Sequence, residues 1–225
     1  MSVPSGTVWP MLQALLDLVL PVECGGCGRP GTQWCRSCAR ALGDAPATVR
    51  PRVDPGVPVW TLGPYRGSHR RAVVAAKEHG RRDLAEPLGV ALGAAIVRLR
   101  RWGELPAGPL SVVPAPTRAR AARARGGDPV TRAVRAAAAH DRALRVVPVL
   151  ETARGVRDSV GLSAAQRHRN LAGRVLLRRG AGVPRERPVL LVDDVLTTGT
   201  TAAEAVRVLV SAGFRPCGVL VIAAA

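Results

Sequence analysis

The chain has 225 residues and carries 33 basic against 16 acidic side chains, a formal net charge of +17. Its only lysine, Lys77, stands in Ala-Ala-Lys-Glu-His with no glycine loop before it, which excludes a Walker-type nucleotide site, where the lysine closes a glycine-rich loop. Aromatic residues make up 3% of the chain, which argues against a single-strand nucleic-acid module built on base stacking.

The remaining cations are all arginine, and that surplus has two explanations. Clustered guanidinium groups neutralise phosphates and fork onto them, so a polyanionic partner is one. A GC-rich coding bias, visible in the excess of Arg, Ala, Gly and Pro, is the other. The apolar stretch at residues 9–20 is shorter than the roughly 20 residues needed to span a bilayer. Asp17 interrupts it and no Lys or Arg precedes Arg29, so it lacks the basic start of a signal peptide. It reads as an amphipathic helix, and with no later segment long and apolar enough to cross a membrane a cytoplasmic chain is expected.

Cys24-Gly25-Gly26-Cys27 and Cys35-Arg36-Ser37-Cys38 form two CxxC knuckles separated by seven residues. Two residues between cysteines let a tight turn aim both sulfurs at one ion, and two such turns complete a tetrahedral thiolate shell with no open position. Structural Zn2+ bound by Cys24, Cys27, Cys35 and Cys38 is expected; in a chain without an export signal it is favoured over two disulfides. Prolines 46, 51, 55 and 58 mark an irregular linker, separating residues 1–45 from a second unit at 59–225.

Residues 59–65 read as a short strand and 68–80 as a helix ended by glycine. Asp83 and Glu86 have capping-box spacing, opening a helix to about residue 101 with Pro87 in its first turn. Residues 110–114 read as a strand. Asp128 followed by Pro129 reads as a cap and first helical residue, with the helix running to about 140. A strand at 145–150, a helix at 162–171 and a short apolar piece at 175–177 follow. Residues 189–192 form a continuous apolar run, as in a strand buried on both faces. A helix at 200–212 closed by Gly213 and a strand at 218–223 complete the pattern. Alternating strands and helices predict a parallel α/β sheet with right-handed crossovers. Cys217 reads as a buried small apolar residue. The four histidines (69, 79, 140 and 168) lack metal-ligand spacing and read as surface residues.

The segment at 189–201 carries the most chemistry: Val-Leu-Leu-Val-Asp-Asp-Val-Leu-Thr-Thr-Gly-Thr-Thr. A buried strand ends in two carboxylates and runs through a hydroxyl-and-glycine loop into a helix. Ligands of open α/β sheets bind outside the carboxyl ends of strands, and helix N-termini favour phosphate. Thr197, Thr198, Thr200 and Thr201 add hydroxyls, while Gly199 lets the backbone approach an anion. Asp193 and Asp194 are then placed to accept from ribose hydroxyls or to face Mg2+.

This segment resembles the phosphoribosyl-pyrophosphate (PRPP) signature of type I phosphoribosyltransferases. More narrowly, the chain resembles the ComF family of competence-associated, phosphoribosyltransferase-like proteins. The resemblance extends through the CxxC pair, Tyr65-Arg66-Gly67 with Lys77, Val112-Val113-Pro114-Ala115-Pro116, Arg125-Gly126, and Gly161-Leu162-Ser163 with Gln166, Arg169, Asn170 and Leu171. It departs from that family at Gly127, Asp128 and Pro129, where an aromatic and an amide usually stand.

The resemblance implies a twisted parallel sheet with a small hood, binding PRPP or a related ribose phosphate with Mg2+. Asp193 and Asp194 then match the acids that hold the ribose diol, and Thr197, Thr198, Gly199, Thr200 and Thr201 the 5′-phosphate loop. Pro114 and Arg118 fall near the pyrophosphate, and residues 154–161 match a covering loop. Arg118 and Lys77 are candidate cations for the leaving group. The arginines at 118, 120, 123 and 125 suit pyrophosphate, a nucleic-acid backbone or a solvated face. Two functions remain open: phosphoribosyl transfer to a nitrogen acceptor, and a non-catalytic role in DNA uptake or processing that uses the pocket as sensor or scaffold. DNA, DNA-uptake proteins and further copies of the chain are the partners these readings allow.

Overall fold

A computed structural model describes residues 22–116, 127–153, 175–178 and 186–225. The elements in order are α1 (Arg36–Leu42), β1 (Ala47–Thr48), β2 (Val59–Thr61), α2 (Gly67–Lys77), α3 (Ala85–Arg101), β3 (Leu110–Pro114), α4 (Pro129–His140), β4 (Leu144–Val146), β5 (Leu150–Thr152), β6 (Val175–Leu177), β7 (Pro188–Leu196), α5 (Thr200–Ser211) and β8 (Arg215–Ala224). The predicted helices at 9–20 and 162–171, the loop at 154–161 and the arginines from 118 to 125 lie outside the described residues.

Six strands form one sheet in the order β1-β2-β8-β7-β3-β4. Only the β1–β2 pair is antiparallel; the other four pairings are parallel. The fold is therefore mixed α/β with a mostly parallel sheet flanked by helices. Strand alternation divides the central strands between two cores, as burial on both faces requires. Leu190, Val192, Leu220 and Ile222 pack with α2, α3 and α4. Val189, Leu191, Val219 and Val221 face the other way, onto Ala202, Ala205, Val206 and Leu209 of α5.

Local expectations meet several corrections. Asp83 does not cap α3: its carboxylate takes Arg81 at 2.8 and 2.6 Å. A 3-10 turn at Arg82–Leu84 leads into the helix, and Glu86 bonds His140 at 2.6 Å. The predicted strand at 145–150 splits into β4 and β5, the latter paired antiparallel with β6 in a separate two-stranded sheet. Within the proline-rich segment, Ala47 and Thr48 pair with β2. His69 is buried rather than exposed, its Nε2 3.2 Å from the Leu62 carbonyl, and burial lowers its pKa. His79 and His140 are exposed. Cys217 is half-buried at a bulge between β7 and β8, its thiol donating to the Val189 carbonyl; burial pushes that thiol up to about 11.

Candidate anion site and cysteine centre

The chain leaves β3 through α4 to reach β4 on one side, and leaves β7 through α5 to reach β8 on the other. Those helices cover opposite faces of the sheet. The order therefore reverses between β3 and β7, and such a reversal opens a crevice at the carboxyl ends of the two strands. Pro114 ends β3 opposite Val192, and the next β7 residue is Asp193. The two acids and Pro114 thus lie at the mouth of the crevice.

Asp194 is held by the chain's one lysine. Lys77, the last residue of α2, places Nζ 2.7 Å from Asp194 Oδ2, with that carboxylate 14% exposed and the ammonium 37%. Burial works against the Lys77 charge, yet Asp194 and, behind it, Asp193 outweigh that cost and shift its pKa upward. Asp193 accepts from the Asp194 backbone N–H at 2.8 Å. Burial, reinforced by the adjacent Asp194 charge, pushes its carboxyl up to about 8. Two adjacent carboxyls thus differ in state: one paired with an ammonium, the other inclined to keep its proton.

Beyond them the loop turns at Gly199, whose φ is +88°, and enters α5. Thr197 and Thr198 are exposed, Gly199 and Thr200 buried, and Thr201 half-buried. The Thr198 and Thr200 hydroxyls lie 3.0 Å apart. The first turn of α5 presents N–H groups without intrahelical partners, as every helix start does; that of Thr200 lies 3.4 Å from the Thr198 hydroxyl, and a helix start of this kind favours negative charge.

Sequence reasoning missed what braces this loop. The Val53 N–H donates to the Thr198 carbonyl at 2.9 Å. A Cβ on Gly199 would stand 2.5 Å from the Val53 carbonyl oxygen and 2.6 Å from Pro51 Cβ. Residues 51–53, read as linker, are a strap across the back of the loop. No local signal marks such a contact. The Lys77–Asp194 pair was half-signalled by the rarity of lysine; its partner was not. Arg118 lies outside the described residues.

The four cysteines converge. The Sγ atoms of Cys24, Cys27, Cys35 and Cys38 all lie within 4.8 Å of one another, and those of Cys27 and Cys35 are 3.7 Å apart. A tetrahedron with Zn–S bonds of about 2.3 Å has edges of about 3.8 Å, so the four sulfurs fit a structural zinc ion. Cys35 is pushed down to about 6, first by the Ser37 hydroxyl at 3.0 Å and then by the Cys38 backbone N–H. Burial raises the Cys38 thiol. No helix among the described residues is long and apolar enough to cross a membrane.

No protein-family profile matches the chain. Over 40 residues it is 50% identical to an orotate phosphoribosyltransferase of Methylococcus capsulatus, a stretch that is 18% of this chain and 19% of that protein. The chain thus aligns with about a fifth of the curated relative's length. Together with the mostly parallel sheet, this short likeness makes the fold phosphoribosyltransferase-like, with the four-cysteine cluster as an additional feature.

Proposed function

We propose that the crevice between β3 and β7 binds a ribose 5-phosphate ligand, PRPP with Mg2+ in the fullest form. The observation that carries this reading is the placement of an acid pair and a threonine–glycine helix start together at the reversal of strand order. Thr197, Thr198, Gly199, Thr200 and Thr201 receive the 5′-phosphate through hydroxyls and backbone N–H groups. Asp193 and Asp194 accept from the ribose hydroxyls. Pro114 borders the pyrophosphate side, and Arg118 is the proposed cation for that group from its place in the sequence. Carboxylate oxygens are the donors a hard cation takes, and bound Mg2+ supplies charge neutralisation for the pyrophosphate.

The reaction this arrangement supports is displacement at C1 of the ribose. The C1–O bond to pyrophosphate breaks, a C1–N bond to a nitrogen nucleophile forms, and the nucleophile's proton is lost. Positive charge develops on the sugar, so positioning and fixed charge do most of the work. Lys77, already on Asp194, sets the charge of the acid pair against the incoming sugar. In this reading residues 1–45 carry the zinc and 59–225 the phosphoribosyltransferase-like unit, and the segment 46–58 between them contributes β1 and the strap. Paired knuckles on the same chain as the acid pair and threonine loop support ComF membership.

Calorimetry with PRPP and Mg2+ tests the reading. Wild-type protein should bind, and Asp194→Asn should weaken binding at least tenfold, with circular dichroism of the ligand-free variant checking that it remains folded. A wild type that binds neither PRPP nor ribose 5-phosphate overturns it. Pyrophosphate release in the presence of a base or amine identifies an enzyme; binding without release across a panel of acceptors identifies a sensor.

A further inference from the structure

The cysteine centre and the anion site share one helix. Arg71, on α2, donates Nη1 to the Cys27 carbonyl at 2.7 Å. Arg81, just past the end of α2, donates Nη1 to the Glu23 carbonyl at 3.0 Å, while its other nitrogens grip Asp83. The Cα of Gly25 faces Leu84 so closely that a Cβ there would lie 2.6 Å from Leu84 Cδ2. The two accepting carbonyls bracket the first knuckle: Glu23 immediately precedes it and Cys27 ends it. Lys77 sits on the same helix between the two arginines, and its ammonium reaches Asp194.

An α-helix rises about 1.5 Å per residue, so Arg71 and Lys77 are about 9 Å apart along a stiff rod. The path of the first knuckle depends on what its sulfurs hold: one ion draws four thiolates to a common centre, and without it each sulfur is free to turn away. A knuckle that opens moves the Cys27 and Glu23 carbonyls and releases the middle of the helix at Arg71 and the turn after it at Arg81.

We infer that Arg71 and Arg81 are positioning residues, which transmit occupancy of the four-cysteine centre to the Lys77–Asp194 pair and so set the affinity of the anion site. Metal binding at the knuckles holds Lys77 on Asp194 and pre-forms the acid pair for a sugar phosphate. Loss of the metal, by chelation or by oxidation of two zinc-bound thiolates to a disulfide, in which two electrons pass to a thiol oxidant and Zn2+ is released, loosens the helix and weakens the site. For its ligand arm the inference rests on the ribose-phosphate reading; for its Lys77 arm it does not.

The single lysine makes a direct test available. Full-length protein labelled with 13C-lysine gives one lysine Cε resonance, which reports Lys77 without assignment, and its pH titration reports the pair with Asp194. Zinc-loaded protein should titrate above an ordinary lysine, and reduced, chelator-stripped protein should fall back towards about 10.4. Arg71→Gln with zinc retained should move the resonance the same way, and so should Arg81→Gln. In calorimetry, stripping should weaken ribose 5-phosphate binding about fivefold in the wild type and not at all in Lys77→Met.

A Lys77 resonance unchanged by stripping and by Arg71→Gln overturns the inference, as does reduced protein that takes up no zinc. If stripping unfolds the chain, the zinc-retaining Arg71→Gln variant decides. If ribose 5-phosphate fails to bind at all, the proposed function falls, while the Lys77 signal still decides the coupling.

Discussion

Replacing Gly199 with alanine attacks the loop at its tightest point. The residue has φ +88°, and a Cβ would press on the Val53 carbonyl oxygen at 2.5 Å and on Pro51 Cβ at 2.6 Å. An L-residue in the left-handed region costs about 1–2 kcal/mol. Ordinary non-bonded carbon contacts lie at about 3.5–4.0 Å, so the strap must retreat by roughly 1 Å. That retreat strains or breaks the Val53 N–H bond to Thr198, worth about 0.5–1.5 kcal/mol, and overpacking of this kind adds about 1–3 kcal/mol. The sum is about 2.5–6.5 kcal/mol.

Gly103 provides the control, with φ +74° and nothing within 4 Å of its Cβ position; Gly103→Ala should cost only the conformational part, about 1–2 kcal/mol. Urea unfolding followed by circular dichroism measures both, with equal m-values required for comparison. A Gly199→Ala variant no less stable than Gly103→Ala would show that residues 51–53 do not brace the loop. Loss of PRPP binding in Gly199→Ala, with binding retained in Gly103→Ala, is the functional counterpart.

Asp193 carries a pH signature. Its carboxyl is raised to about 8 in the fold against about 3.9 in an unfolded chain. Between those values the folded state holds the extra proton, so this group's contribution to stability is present below about pH 4 and is lost as pH rises through about 8. Asp193→Asn should remove that fall, seen by comparing urea midpoints at pH 5 and pH 8; an equally steep fall in the variant refutes the assignment. Asp128 caps α4, accepting from the Thr131 N–H at 2.7 Å. Asp128→Ala should cost about 1 kcal/mol, read as a lower urea midpoint, and Asp128→Ser should recover most of it.

What the sequence made legible was local. The bounds of β3 and α4 follow from an apolar run and from an Asp-Pro cap, both written within a few residues. The acid pair and its loop were equally plain, because strand, carboxylates, threonines and helix are contiguous. The capping box at Asp83 failed because Arg81, two residues away, offers the carboxylate a charged, bidentate partner that outcompetes a backbone N–H. His69 was misplaced because its polarity suggests solvent, whereas the Leu62 carbonyl supplies the one partner that burial requires. The strap at 51–53 and the arginine clamps on the first knuckle were illegible for a different reason. They are long-range backbone contacts, and an arginine that binds a distant carbonyl looks like any other in so basic a chain.

Strand order also governs how the sheet comes together in time. β8 lies between β2 and β7, so Val59 must find Val219 and Leu191 must find the same residue from the other side. Until β8 inserts, β2 has only the two residues of β1 as a partner, and β7 presents an open edge along its acid-bearing strand. Non-local parallel pairing of this kind closes slowly, and unpaired edges invite association with other chains. Insertion of β8 should therefore set the refolding rate, and the acid pair should gain its burial only at that final step.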